Sequence, residues 1–249
     1  MSGVARILFD HIAIGVPVMS QAAPFLAGEL GDVPDVGSPS GDFRWGTYAY
    51  EGGGSLEVLE PLGASGFLHR FLAEHGPGIH HVTFKVPSLE DACIRAETAG
   101  YDVIGRDTSD PEWREAFLHP KQALGIVVQL AQPGPSDGAP SPSTPPPGVA
   151  AAPAPVTVLG VRMRCQSRER AITQWSGVLH GEMAGGPRGS LVFRWPGSPM
   201  RLTVAIDPSR DEGPLAIEYA SERPLALPSG RHPVLGAVFT RTDSLEGPA

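Results

Sequence analysis

His11–Pro17 reads HIAIGVP and His81–Pro87 reads HVTFKVP. Laid over one another, the two stretches set histidine on histidine, apolar residues at alternate positions, and proline at the same end. Strand geometry sends successive side chains to opposite faces. In the first stretch Ile12, Ile14 and Val16 share one face, and His11, Ala13 and Gly15 the other. In the second, Val82, Phe84 and Val86 stand against His81, Thr83 and Lys85. Proline has no N–H to give a ladder, so Pro17 and Pro87 stop both strands at one place. The pair predicts one supersecondary unit used twice.

The residues after each stretch support the repeat. After the first come a short helix near Ser20–Leu30 and strands around Arg44–Tyr50 and Ser55–Leu59, parted by the turn Gly52-Gly53-Gly54. After the second comes a helix capped by Ser88 and running through Ala99. Glu90 and Asp91 lie in its first turn, and Gly100 stops it. Strands come next near Ala116–His119 and Gly125–Ala131. In the closing strands Leu56 and Val58 alternate with Glu57 and Leu59, and Val128 and Leu130 with Gln129 and Ala131. One face of each strand is bulky and apolar, suited to lie under a helix. The other carries His11, Glu57, His81 or Gln129.

Brought to one concave surface, these four offer two imidazoles, a carboxylate and an amide oxygen. That set suits a divalent first-row cation with positions left open for water or substrate. Singly, each has a plainer role: a hydrogen-bonded strand histidine, a solvated glutamate, an amide satisfied inside a barrel.

The chain has 249 residues, of which 31 are Gly and 27 Pro. Nine of the prolines fall within Pro133–Pro155, which has almost no bulky apolar residue and reads as an extended, mobile tether. It divides the chain into a domain at 1–132, a linker at 133–155 and a domain at 156–249. The net charge of −8 argues against a nucleic-acid partner, whose phosphates call for basic residues. No apolar run approaches the roughly 18 residues of a membrane span, and no long apolar leader opens the chain. Cys93 and Cys165 make no disulfide framework. A cytoplasmic protein with no membrane partner is expected.

Five segments resemble a known family. DHIAIGVP at 10–17, LEVLEPLG at 56–63, GPGIHHVTFKV at 76–86, FLHPKQALG at 117–125 and IVVQL at 126–130 are similar, in that order, to the methylmalonyl-CoA epimerase branch of the vicinal oxygen chelate (glyoxalase-like) superfamily. The resemblance implies an α+β fold of paired βαβββ modules forming a half-barrel sheet around a divalent metal (Co, Mn, Ni, Zn or Mg). The ligands it implies are His11, Glu57, His81 and Gln129. It also implies an isomerase acting through an enolate on a small acyl thioester such as methylmalonyl-CoA. That chemistry removes an α-proton and returns it on the opposite face.

Two departures stand out. The family's last ligand is usually a carboxylate, and here it is Gln129. The family's general-base glutamate would fall at Gly41, leaving Glu57, Asp42 or Glu51 as catalytic carboxylates. Lys85, His119 and Lys121 are candidates to meet a substrate carboxylate or phosphate, with ordinary solvation as the alternative. His80 is expected to face outward or into the preceding loop. Other members of the superfamily leave a glyoxalase-type lyase or isomerase and a drug-sequestering binder open. Gln129 weighs against an extradiol dioxygenase, and His11 and His81 against the binder.

Val156–Ala249 reads as a degenerate module of similar architecture. Leu159–Cys165 opens it, with Gly160 where His11 stands, and Ser167 caps a helix bearing Ile172, Trp175 and Leu179. Leu191–Trp195 and Met200–Ile206 flank PGSP as a hairpin, and Leu215–Tyr219 and Leu235–Thr240 add strands. Trp175 and Trp195 are expected in the core. This part covers the first domain or mediates association, so a homodimer stays open.

Overall fold

The computed structural model describes residues 6–31, 34–35, 39–135 and 155–242. Of the Pro-rich stretch 133–155, residues 136–154 lie outside the described residues. β1 (Leu8–Gly15) ends short of Pro17 as expected. The helix near Ser20–Leu30 forms as a 3-10 turn at Met19–Gln21 and a π-helix at Pro24–Glu29, with proline at the first position, where no N–H is needed.

Two two-residue strands, β2 (Pro34–Asp35) and β3 (Pro39–Ser40), pair antiparallel with β4 (Phe43–Ala49). β4 then runs antiparallel to β5 (Ser55–Pro61). The turn between them needs Gly54. Its φ is +84°, and a Cβ there would sit 2.2 Å from the carbonyl oxygen of Val158.

Helix α1 (Phe67–His75) is an addition to the sequence reading. Its N-cap is Gly66, which offers no side-chain cap, so the usual start signal is missing. Tertiary packing stabilises it instead: Leu68 forms a core with Ala13 and Leu59, ringed by Phe43, Trp45, Phe67, Phe71 and Leu72.

β6 (Gly78–Lys85) leads into α2 (Leu89–Thr98), where Ser88 Oγ accepts the Asp91 N–H at 3.2 Å and Gly100 follows at φ +89°. β7 (Val103–Asp107), β8 (Trp113–Leu118) and β9 (Val127–Pro133) complete this part. Beyond the tether, β10 (Val156–Cys165) precedes α3 (Arg168–Ile172), capped by Ser167 and continued by a π-helix at Thr173–Val178. β11 (Glu182–Gly185), β12 (Leu191–Arg194), β13 (Arg201–Ile206), β14 (Gly213–Ser221) and β15 (Phe239–Arg241) come after it. β12 and β13 form the expected hairpin around PGSP. The fold is α+β, with two multi-stranded sheets.

The described residues cluster into two compact units, one from residues 6–11, 81–135 and 161–215, the other from 12–80, 155–160 and 216–242. Each draws on both sides of the Pro-rich stretch. In the first unit Phe9, Phe84, Trp175 and Trp195 pack ring on ring, with Phe84 centred 4.9 Å from Phe9 and 4.7 Å from Trp195. Such pairs contribute about 0.5–1.5 kcal/mol each beyond the area they bury. Both tryptophans are buried, as expected, and Trp195 Nε1 donates to the Leu179 carbonyl at 2.7 Å. In the second unit Phe25 packs on His232 and Phe239, and Thr157 Oγ1 donates to the Gly52 carbonyl at 2.9 Å. Among the described residues no helix is long and apolar enough to cross a membrane.

Candidate metal centre

The repeat holds down to ladder register. β1 pairs parallel with β5 so that Ala13 lies opposite Glu57, and β6 pairs parallel with β9 so that Thr83 lies opposite Gln129. These are equivalent positions in the two heptads. The ladders close alike: Val16 N–H donates to Leu59 O at 2.9 Å, and Val86 N–H to Ala131 O at 2.8 Å. The opposite faces, Ile12, Ile14 and Val16 in one and Val82, Phe84 and Val86 in the other, are fully buried.

His11, Glu57 and His81 each offer a ligand atom, and these atoms lie within 4.8 Å of one another. Both imidazoles are buried, with ring centroids 6.0 Å apart. His11 Nδ1 is 2.8 Å from Asp10 Oδ2, and Lys85 Nζ is 3.1 Å from Asp10 Oδ1. Burial opposes the charge on Asp10, but the hydrogen bond and charge of His11, with those of Lys85, outweigh it and hold its carboxyl below the ordinary value. A carboxylate can only accept, so Nδ1 carries a proton, and in the neutral ring Nε2 presents its lone pair. This is how an outer carboxylate fixes a ligating histidine.

That lone pair faces Thr83, whose Oγ1 is 2.8 Å from His11 Nε2 and donates to Gln129 Oε1 at 2.6 Å. Gln129 Nε2 donates in turn to Glu115 Oε2 at 2.6 Å, which also accepts from Trp113 Nε1 at 3.0 Å. With the ring neutral, the one Thr83 hydroxyl proton has two acceptors within reach, His11 Nε2 and Gln129 Oε1. An imidazole nitrogen and an amide oxygen converging in a buried place fit a cation, as does the chemistry of the His/Glu/His donor set.

The remaining candidates lie elsewhere. Asp42 and Glu51 are exposed at the two ends of β4, whose Thr47 pairs with Glu57. The structure does not bring either into the ligand group. Lys85 is tied to Asp10 and lies 5.7 Å over the Trp113 ring. His119 and Lys121 occupy the turn after β8, where Lys121 N–H donates to His119 Nδ1 at 3.2 Å. His80 does not face outward: it packs on Phe67 and Phe71 of α1, and burial, aided by the charge of His75, pushes its imidazole down to about 4.

Glu115 and Asp10 are the residues the sequence reading passed over. Glu115 sits one residue before the strand expected at Ala116–His119. Extending the alternation backward puts Glu115 with Phe117, on the face of Gln129.

Residues 10–117 match the family described as the Glyoxalase/Bleomycin resistance protein/Dioxygenase superfamily. An uncharacterized protein of Bacillus subtilis (strain 168), YqjC, is 28% identical over 128 residues, covering 50% of this chain and 91% of its own. The mitochondrial methylmalonyl-CoA epimerase of Homo sapiens is 26% identical over 127 residues, 49% of this chain and 72% of its own. Among solved structures, a variant of 4-hydroxymandelate synthase from Streptomyces coelicolor aligns over 88% of this chain and 72% of its own, with a TM-score of 0.61 and 14% identity. That likeness concerns the fold, and it spans both sides of the Pro-rich stretch.

Proposed function

Taking residues 10–117 as a domain of the Glyoxalase/Bleomycin resistance protein/Dioxygenase superfamily, we propose that the chain is a divalent-metal-dependent epimerase or isomerase of a small acyl thioester such as methylmalonyl-CoA. The observation that carries this reading is the meeting of His11, Glu57 and His81 within 4.8 Å. The epimerase relatives supply the substrate class. His11, Glu57, His81 and the Gln129 amide oxygen would hold the cation. Bound there, it would supply Lewis-acid stabilisation of negative charge on two neighbouring oxygens.

The chain's own groups do the rest. Asp10 fixes the His11 tautomer, and Glu57 takes the α-proton on one face of the substrate. Asp42 and Glu51, at the ends of β4, are kept for the transfer on the other face. His119 and Lys121 meet the anionic end of the substrate. In this reading residues 1–132 carry the site, 133–155 tether, and 156–249 form a second glyoxalase-like domain without ligands. Its support is the recurring order of strand then helix: Ser167 caps α3 as Ser88 caps α2, and a π-helix follows as at Pro24–Glu29, with Gly160 at the His11 position. The partner is a small molecule met in the cytoplasm, and a homodimer is the assembly to look for by sedimentation.

The test is α-deuterium exchange into methylmalonyl-CoA in heavy water. The metal-loaded wild type exchanges, and both the chelated protein and His11→Ala/His81→Ala do not. Silence from the wild type with turnover of a glutathione hemithioacetal would replace the epimerase by a glyoxalase-type lyase. Ligand binding that ignores chelators, in a wild type that takes up no metal, would favour the sequestering binder.

A further inference from the structure

We propose that Glu115 is a positioning residue that acts through Gln129, turning the amide so that its oxygen faces Thr83 and His11. The inference rests on the metal reading above. A glutamine ends in two groups of nearly one shape, and only the oxygen can ligate a cation. At 2.6 Å from Glu115 Oε2, the Gln129 N–H makes a charge-assisted bond. The flipped amide would set two acceptors at that distance, losing the bond and adding repulsion. Glu115 therefore decides which end of Gln129 points inward.

Glu115 is itself held. Trp113 Nε1 donates to the same carboxylate oxygen, and Lys85 lies over the Trp113 ring and binds Asp10. Asp10 bonds His11, His11 meets Thr83, and Thr83 donates to Gln129. The contacts close a circuit of seven residues, in which each of the two ligands has its own outer carboxylate: Asp10 for His11, Glu115 for Gln129. A carboxylate ligand, with two equivalent oxygens, needs no such partner. An amide in its place does, and Glu115 supplies it from the neighbouring strand.

The experiment titrates Co(II) into the full chain, following its visible absorption, for wild type, Glu115→Gln, Gln129→Ala and the double variant. Glu115→Gln is expected to weaken Co(II) about tenfold, the low end of outer-partner effects, and to shift the visible band. In the Gln129→Ala background the same change is expected to cost less than about twofold, because the residue it acts through is gone. Unchanged affinity and band in Glu115→Gln would overturn the proposal, as would an equal loss in both backgrounds, which would mark an effect of charge alone. Should Glu115→Gln fail to fold, Trp113→Phe removes the indole donor and keeps the ring. It is expected to weaken Co(II) several-fold only where Gln129 is present, and an equal loss without Gln129 overturns the proposal. No Co(II) binding by the wild type would sink the metal reading, and this inference with it. Binding with an additive cycle sinks the inference alone.

Discussion

The two opening strands and their parallel partners share one ladder register, yet the faces they present to the site could hardly differ more. Over β1, Ala13 is sealed in an apolar core with Leu59 and Leu68 beneath α1. Gly15 leaves room for that helix, since a Cβ there would already be 3.0 Å from Leu68 Cδ1 and Phe71 Cε1. Over β6, the equivalent residues are Thr83, hydrogen-bonded to Gln129 and beside His11 Nε2, and Lys85, paired with Asp10. Backbone repetition fixes where side chains stand. What covers a face decides whether it becomes core or chemistry.

The sharpest way to break the contrast is to copy one side onto the other. Gly15→Lys, the residue of the second strand, is expected to destabilise the protein by about 4 kcal/mol, from overpacking and a buried unpaired charge. Urea unfolding measures it, and a loss below about 1 kcal/mol would mean that α1 lifts away freely. The reverse copy, Thr83→Ala, removes the hydroxyl that lies 2.8 Å from His11 Nε2. Stability should fall by about 1 kcal/mol, while Co(II) binds several-fold more tightly by calorimetry. Weaker binding would make Thr83 a support of the site instead of a competitor.

Features shared by different parts of the chain should respond alike. Ser88→Ala and Ser167→Ala each remove one helix cap and should each cost about 1 kcal/mol in unfolding experiments. Markedly unequal losses would show that one helix start is held by tertiary contacts alone.

The smallest effect is expected from Glu212, which accepts from Gln166 N–H and pairs with Arg170 at 2.8 Å. Burial raises its carboxyl, but those bonds outweigh it and leave it below the ordinary value. Its contribution is present above the unfolded value near 4.5 and fades as pH falls through the lower folded one. The gap in melting temperature between wild type and Glu212→Gln should therefore close between pH 6 and about pH 3. A gap that persists in acid would assign the stabilisation to packing.

Much of this could be read locally. Most of the longer strands stand where period-two alternation puts them, though that expected at Leu235–Thr240 begins only at Phe239, and Ser88, Gly100 and Ser167 mark helix ends because caps act within one turn. The exceptions share a cause. α1 has Gly66 at its start and depends on distant rings, and β7 is mostly exposed, with no apolar alternation to reveal it. In the site, His11 and His81 came from the repeat and Glu57 from the alternation of its strand. Glu115 did not, because its meaning depends on Gln129, 14 residues away across a ladder.

By itself the sequence determined which side chains share a face, since strand geometry sets that one residue at a time. Tertiary structure alone decided which faces are covered and which polar atoms meet. Thr83 and His11 are 72 residues apart, and their contact exists only through the assembled sheet. Both compact units, likewise, take strands from either side of the Pro-rich stretch. Hydrogen bonds discriminate on a scale of tenths of an ångström. Local propensity places a residue on a strand; only the assembled ladders bring two atoms to that distance.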